Sequence, residues 1–113
     1  MAAAFYSAQL SLVADDGDLR ITGPQAICYS LREYLEHKGL NTGVFEIILK
    51  GTDNLNSIAT FEAQGRNGDE VKELIEAFLL KKRVRFSIWT IPNPPHGFES
   101  VFRLVDISMF RPN

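Results

Sequence analysis

Two glutamates make the nearest approach to a catalytic pair in this chain. Glu46 and Glu62 fall in two candidate strands at positions that can project from the same side of a sheet. Paired carboxylates in unlike environments can divide general-acid and general-base duty between them. Solvated glutamates, or glutamates paired with Arg85, are the commoner outcome. Trp89 could form the apolar wall of a small-ligand pocket rimmed by Glu46, Glu62 and Arg85, since ligand sites combine apolar walls with a few polar groups. His96 stands in the run Pro92-Asn93-Pro94-Pro95-His96-Gly97. An imidazole held by a stiff loop could act as a general base, but with no identifiable partner a solvated histidine is the simpler reading.

The other reactive types are placed less suggestively. Cys28 lies on the apolar stripe of a candidate helix and is expected to be a small buried hydrophobe, with no base or oxyanion donors in view. His37, near the end of that helix, can favour the negative end of its dipole. The basic run Lys81-Lys82-Arg83 with Arg85 could meet phosphate or an acidic protein surface, but cations at a helix end also offset that helix's own dipole. The sequence has no Gly-rich phosphate loop, Gly-x-Ser-x-Gly elbow, His-Glu-x-x-His helix or paired-cysteine zinc motif.

Composition narrows the field further. The 113 residues suit one domain with one core, spanning 1–113, and 45% hydrophobic with 23% charged residues is ordinary for a folded chain. Eight Phe against one Trp and three Tyr predict a Phe-rich core. The net charge of -2 argues against a nucleic-acid or anionic-membrane partner. One Cys forms no intrachain disulfide, and with two distant His it cannot complete a four-ligand structural zinc site. No cofactor or metal is expected. The first residues lack the pattern of a signal peptide, and no apolar run approaches the ~18 residues of a membrane span. A cytoplasmic location is the simpler expectation.

Periodicity supplies the elements that would position these residues. Phe5–Ala14 alternates as a strand, Asp15-Asp16-Gly17-Asp18 reads as a turn, and Leu19–Thr22 returns as a short strand. A helix over about Pro24–Lys38, capped by Thr22 or Gly23, carries the stripe Ile27, Cys28, Leu31, Tyr34 and Leu35 and stops at Gly39. Val44–Lys50 and Ser57–Gln64 read as a hairpin, with Phe45, Ile47 and Leu49 on one face of its first strand. Asn67 with Glu70 resembles a capping box opening a second helix, whose stripe is Val71, Leu74, Ile75, Phe78 and Leu79 and whose end is near Lys81-Lys82. Arg83–Ile91 is a strand, Pro92–Gly97 a stiff loop, and Phe98–Phe110 a long last strand.

These elements predict an α+β fold: a mostly antiparallel sheet of five or six strands with two helices on one face. With Leu19–Thr22 set aside, the order resembles the ferredoxin-like split βαβ arrangement plus an extra C-terminal strand, a likeness of topology that implies no function. Counted in full, it is two strand-strand-helix units and a closing hairpin. Two helices cannot cover both sides of a sheet. The other face should carry Glu46, Lys50, Thr60, Glu62, Gln64, Arg85 and Ser87, but also Val44, Ile48, Ile58 and Trp89. The last strand is apolar on both sides, with Phe102 and Leu104 on one and Val101, Val105 and Ile107 on the other. Apolar surface left in the open usually marks an interaction site. The expected function is therefore a non-enzymatic binding module, a homodimer or a protein-docking domain, working through the uncovered sheet face. The alternatives are a small-molecule site near Trp89, Glu46 and Glu62, and nucleic-acid binding through Lys81–Arg85. The pattern of RNA-binding sheet domains is missing from Ser57–Gln64.

Overall fold

A computed structural model describes residues 8–15, 18–49, 57–65, 68–91 and 99–105. It contains β1 (Ala8–Asp15), β2 (Asp18–Pro24), α1 (Gln25–His37), β3 (Asn41–Thr42), β4 (Glu46–Leu49), β5 (Ile58–Gln64), α2 (Gly68–Lys81), β6 (Phe86–Thr90) and β7 (Glu99–Leu104). All pairings are antiparallel, and the sheet order is β3-β5-β2-β1-β7-β6 with β4 also on β5. Seven strands thus fill six positions, because β3 and β4 share one edge of β5. The chain is α+β, as composition and periodicity predict, with more strands than expected.

The ferredoxin-like split order is not confirmed. Three hairpins lie side by side, β4–β5, β2–β1 and β7–β6, and the middle one places two strands between β5 and the last hairpin. The expected Leu19–Thr22 strand is in fact seven residues long and sits between β1 and β5. It runs on to Pro24 because Gly23 and Pro24 pair with Ala59 and Ile58 instead of opening the helix. Pro24 then occupies the N-cap of α1 with no side-chain cap. The N–H of Gln25 donates to the carbonyl of Ser57 at 2.8 Å, so the residue just before β5 satisfies one of the helix's four free amides. Asn67 lies outside the described residues.

One core joins the two helices to a single side of the sheet. Ile27, Cys28, Leu31 and Leu35 of α1 and Val71, Ile75, Phe78 and Leu79 of α2 meet Leu10, Leu12, Ile21, Phe61, Phe102 and Leu104. Ile47 faces this side opposite Ala59 but remains 40% exposed, because the sheet edge reaches past the helices. Phe45 bridges the same edge, stacked on Tyr29 at 4.2 Å. Beside it, Arg32 Nε donates to Thr42 Oγ1 at 3.1 Å, and Thr42 Oγ1 donates to Glu36 Oε1 at 2.9 Å, tying β3 to α1.

Both helices end in the same way. Gly39, at φ 89°, follows α1, with Gly39 N–H donating to Glu36 O and Leu40 N–H to Leu35 O. After α2, Arg83 takes φ 59°, with Arg83 N–H donating to Leu80 O and Val84 N–H to Leu79 O. Each is the paired hydrogen-bond pattern of a Schellman motif, and the residue that closes it (Leu40, Val84) is buried in the core, as is its hydrogen-bond partner (Leu35, Leu79). A left-handed conformation is costly for arginine and free for glycine. Arg83→Gly is therefore expected to stabilise the fold by about 0.5–1 kcal/mol, net of glycine's greater freedom when unfolded. A urea titration checks this, and an unchanged or lowered midpoint would mean that the Arg83 side chain offsets the strain.

Candidate functional site

The sheet face away from the helices can be read strand by strand from the register. One row across it runs Glu46, Thr60, Thr22, Ser11, Val101, Trp89. The next runs Glu62, Arg20, Val13, Glu99. A third runs Gln9, Arg103, Ser87. Glu46, Glu62, Arg20 and two threonines dominate the β4–β5–β2 end, where Val44 is also exposed; Trp89 and Val101 stand on β6 and β7 among Glu99, Arg103 and Ser87.

At the polar end, Arg20, Thr22, Val44, Glu46, Thr60 and Glu62 line an open cleft of about 610 Å3. Glu46 lies opposite Thr60, so Glu62 is its diagonal neighbour, with backbones roughly 7–8 Å apart. Arg20 stands directly opposite Glu62. Thr60 Oγ1 donates to the carbonyl of Ile21 at 3.1 Å. With its only proton spent there, Thr60 accepts from Thr22 Oγ1 at 3.0 Å. Neither hydroxyl has a proton left for a ligand, so the cleft presents carboxylate and hydroxyl acceptors, with Arg20 its single cation among the described residues. Glu46 and Glu62 are both exposed. They have the proximity but not the water-excluded setting that acid–base pairs need.

At the apolar end, Trp89 is 49% exposed, Val105 42% and Ile91 37%, with Val101 half-buried opposite Trp89. The Arg103 guanidinium lies 5.3 Å from the Trp89 ring centroid, a cation–π contact that leaves the rest of the indole open. Val105 N–H donates to Arg85 O at 2.8 Å, holding the two strands together beyond the end of β6.

The expected grouping of Trp89 with Glu46 and Glu62 does not form. Those glutamates stand at one edge of the sheet and on the strand next to it, and Trp89 sits on the strand at the other edge, five inter-strand steps from Glu46 and four from Glu62, or roughly 19–24 Å. Arg85 is exposed beside β6, so Arg20, not Arg85, faces Glu62. His96 and Ile107 lie outside the described residues. Sequence reasoning missed Arg20 and Arg103. Both are isolated cations in alternating segments, and only the register reveals what stands opposite them.

Cys28 is fully buried, its thiol directed to the Ala59 carbonyl at 3.7 Å. Burial pushes the thiol up from 9.0 to about 12, partly offset by a backbone hydrogen bond from Gly23. The folded state therefore holds the proton more tightly than the unfolded chain. Stability from this group is complete below pH 9 and falls as pH rises from 9 toward 12. A thiol reagent at pH 8 is expected to find no reactive thiol in native protein and one after urea. Rapid labelling of the native protein would contradict the burial. Among the described residues, no three His, Cys, Asp or Glu converge as metal ligands, and no helix is long and apolar enough to cross a membrane.

No protein-family model, curated protein or solved structure matches the chain. Its function must be read from the two ends of the sheet alone.

Proposed function

We propose that the chain is a non-enzymatic interaction module that self-associates or docks a protein through the uncovered sheet face, with the contact centred on β6 and β7. One observation carries the reading: Trp89 and Ile91, 49% and 37% exposed, stand beside half-buried Val101 at this end of the face, with exposed Val105 further along past Arg103. Singly exposed hydrophobes are ordinary; an exposed Trp89 with the Arg103 guanidinium over its ring and Val101 opposite matches the composition of interface centres. Light scattering with Val105→Glu is the test. Association that Val105→Glu weakens about tenfold or more supports the reading. Association untouched by this variant and by Val101→Glu would remove the face from the interface.

A second reading has its own support, a small polar ligand in the cleft of Arg20, Glu46 and Glu62. The match is with a ligand bearing donor groups, since the side chains there mainly accept. Trp89 is too distant to report such binding, so calorimetry with Glu46→Gln and Glu62→Gln is the proper assay. Nucleic-acid binding through Lys81–Arg85 gains little support. Lys81 lies in the last turn of α2, where its charge offsets that helix's own dipole, and the net charge of the chain is -2.

A further inference from the structure

The two edges of the sheet differ. At the β3–β4 edge the strand is interrupted over 43–45, shifts register between Ile47 and Leu49, and carries Glu46. Breaks, bulges and edge charges are the usual devices that stop a sheet from pairing with another. The β6 edge has none of them. Phe86-Ser87-Ile88-Trp89-Thr90 pairs with β7 without a shift and contains no charge and no proline. β6 has no second strand neighbour among the described residues.

The free groups of this edge can be identified. Val105 N–H donates to Arg85 O and Ile91 N–H to Glu99 O, so residues 85 and 91 turn their amides and carbonyls toward β7. Antiparallel bonding alternates along a strand, which assigns Ser87 and Trp89 to β7 and leaves Phe86, Ile88 and Thr90 facing outward. The side chains are equally incomplete. Phe86 and Ile88 are only half-buried on the helix side, and Trp89 is exposed on the other.

We infer that β6 pairs antiparallel with β6 of a second copy about a two-fold axis at Ile88, joining two sheets into one. The inference rests on the docking reading above and names its partner and mode. In this register Ile88 meets its own copy, Phe86 meets Thr90, Ser87 meets Trp89, and Arg85 meets Ile91. Like charges never face each other. About six backbone hydrogen bonds form from groups that have no partner strand among the described residues. Apolar side chains on both sides of the strand are covered in one step, which docking on one face alone does not achieve.

The test combines light scattering from about 1 μM to about 1 mM chain with amide exchange at Phe86, Ile88 and Thr90. The expected mass rises from one chain to two, and the three amides slow as it does. Thr90→Pro deletes one outward amide and none that bonds β7, so edge proline is tolerated in the single chain. It is expected to weaken the dimer about tenfold or more while leaving the circular dichroism spectrum unchanged. If Thr90→Pro unfolds, Thr90→Lys, which spares the backbone and charges the edge, must weaken the dimer similarly. Association that Val105→Glu weakens but the Thr90 variants do not would overturn edge pairing and leave face docking standing. Association insensitive to all of these variants would overturn both, as would a single-chain mass across the whole range with the three amides exchanging freely.

Discussion

Phe61→Ala is expected to lower the unfolding free energy by about 3–5 kcal/mol, the usual cost of emptying a large aromatic site in a closed core. Phe61 is fully buried on β5 and serves two neighbours at once. Its ring lies 6.4 Å from Phe45, which in turn stacks on Tyr29 of α1, so the aromatic series that fastens the β4 edge to the helix begins at Phe61. Its backbone also forms part of the wall of the Glu46–Glu62 cleft. Collapse into the void is opposed by β2 and β4, which hold β5 on both sides. For a domain of this size the loss corresponds to a fall in Tm of roughly 10–25 °C. Urea unfolding followed by circular dichroism measures it. A loss under about 1 kcal/mol would mean that this part of the core is far looser than its packing implies.

Gly23→Val is expected to cost about 2–3 kcal/mol or more, for the opposite reason. Gly23 is not among the residues with positive φ, so its role is to leave space. A Cβ there would lie 2.7 Å from Leu10 Cδ1 and 3.2 Å from the carbonyl oxygen of Gln9. Leu10 is fully buried, so its side chain has little room to give way, and Gln9 O belongs to the strand backbone. Larger side chains must therefore push β1 and β2 apart at the middle of the sheet. Gly23→Ala should show the same effect at about 1–2 kcal/mol. Equal stability of the valine variant and the wild type would show that Leu10 has another rotamer open to it.

Much of the local structure was legible because it depends on neighbours in sequence. The stripe Ile27, Cys28, Leu31, Leu35 and its counterpart Val71, Ile75, Phe78, Leu79 are the buried faces of the two helices, and Gly39 marks the end of the first. Alternation over Ile58–Gln64 sorted Ala59, Phe61 and Ala63 to the core correctly. Thr22-Gly23-Pro24 misled: its turn-forming types suggested a helix cap, yet pairing with Ala59 and Ile58 holds it in the sheet. Arg83 gave no warning of its left-handed backbone, since Lys82-Arg83 reads equally well as solvated charge.

The candidate sites were half legible. Placing Glu46 and Glu62 on a common side needed only alternation and one hairpin, and the structure brings them to one cleft. Placing Trp89 beside them assumed a strand order, and order is set by contacts far apart in the chain. The insertion of β1 and β7 between β2 and β6 separates the indole from the carboxylates and leaves two sites of unlike chemistry on one face.

The most direct measurement is collisional quenching of Trp89, the chain's single indole, across a dilution series. The expected result is an accessible, red-shifted tryptophan in dilute protein that becomes shielded and blue-shifted as chains meet at β6 and β7. A tryptophan equally open to quencher at every concentration, or one already shielded in the lone chain, would contradict an interface there.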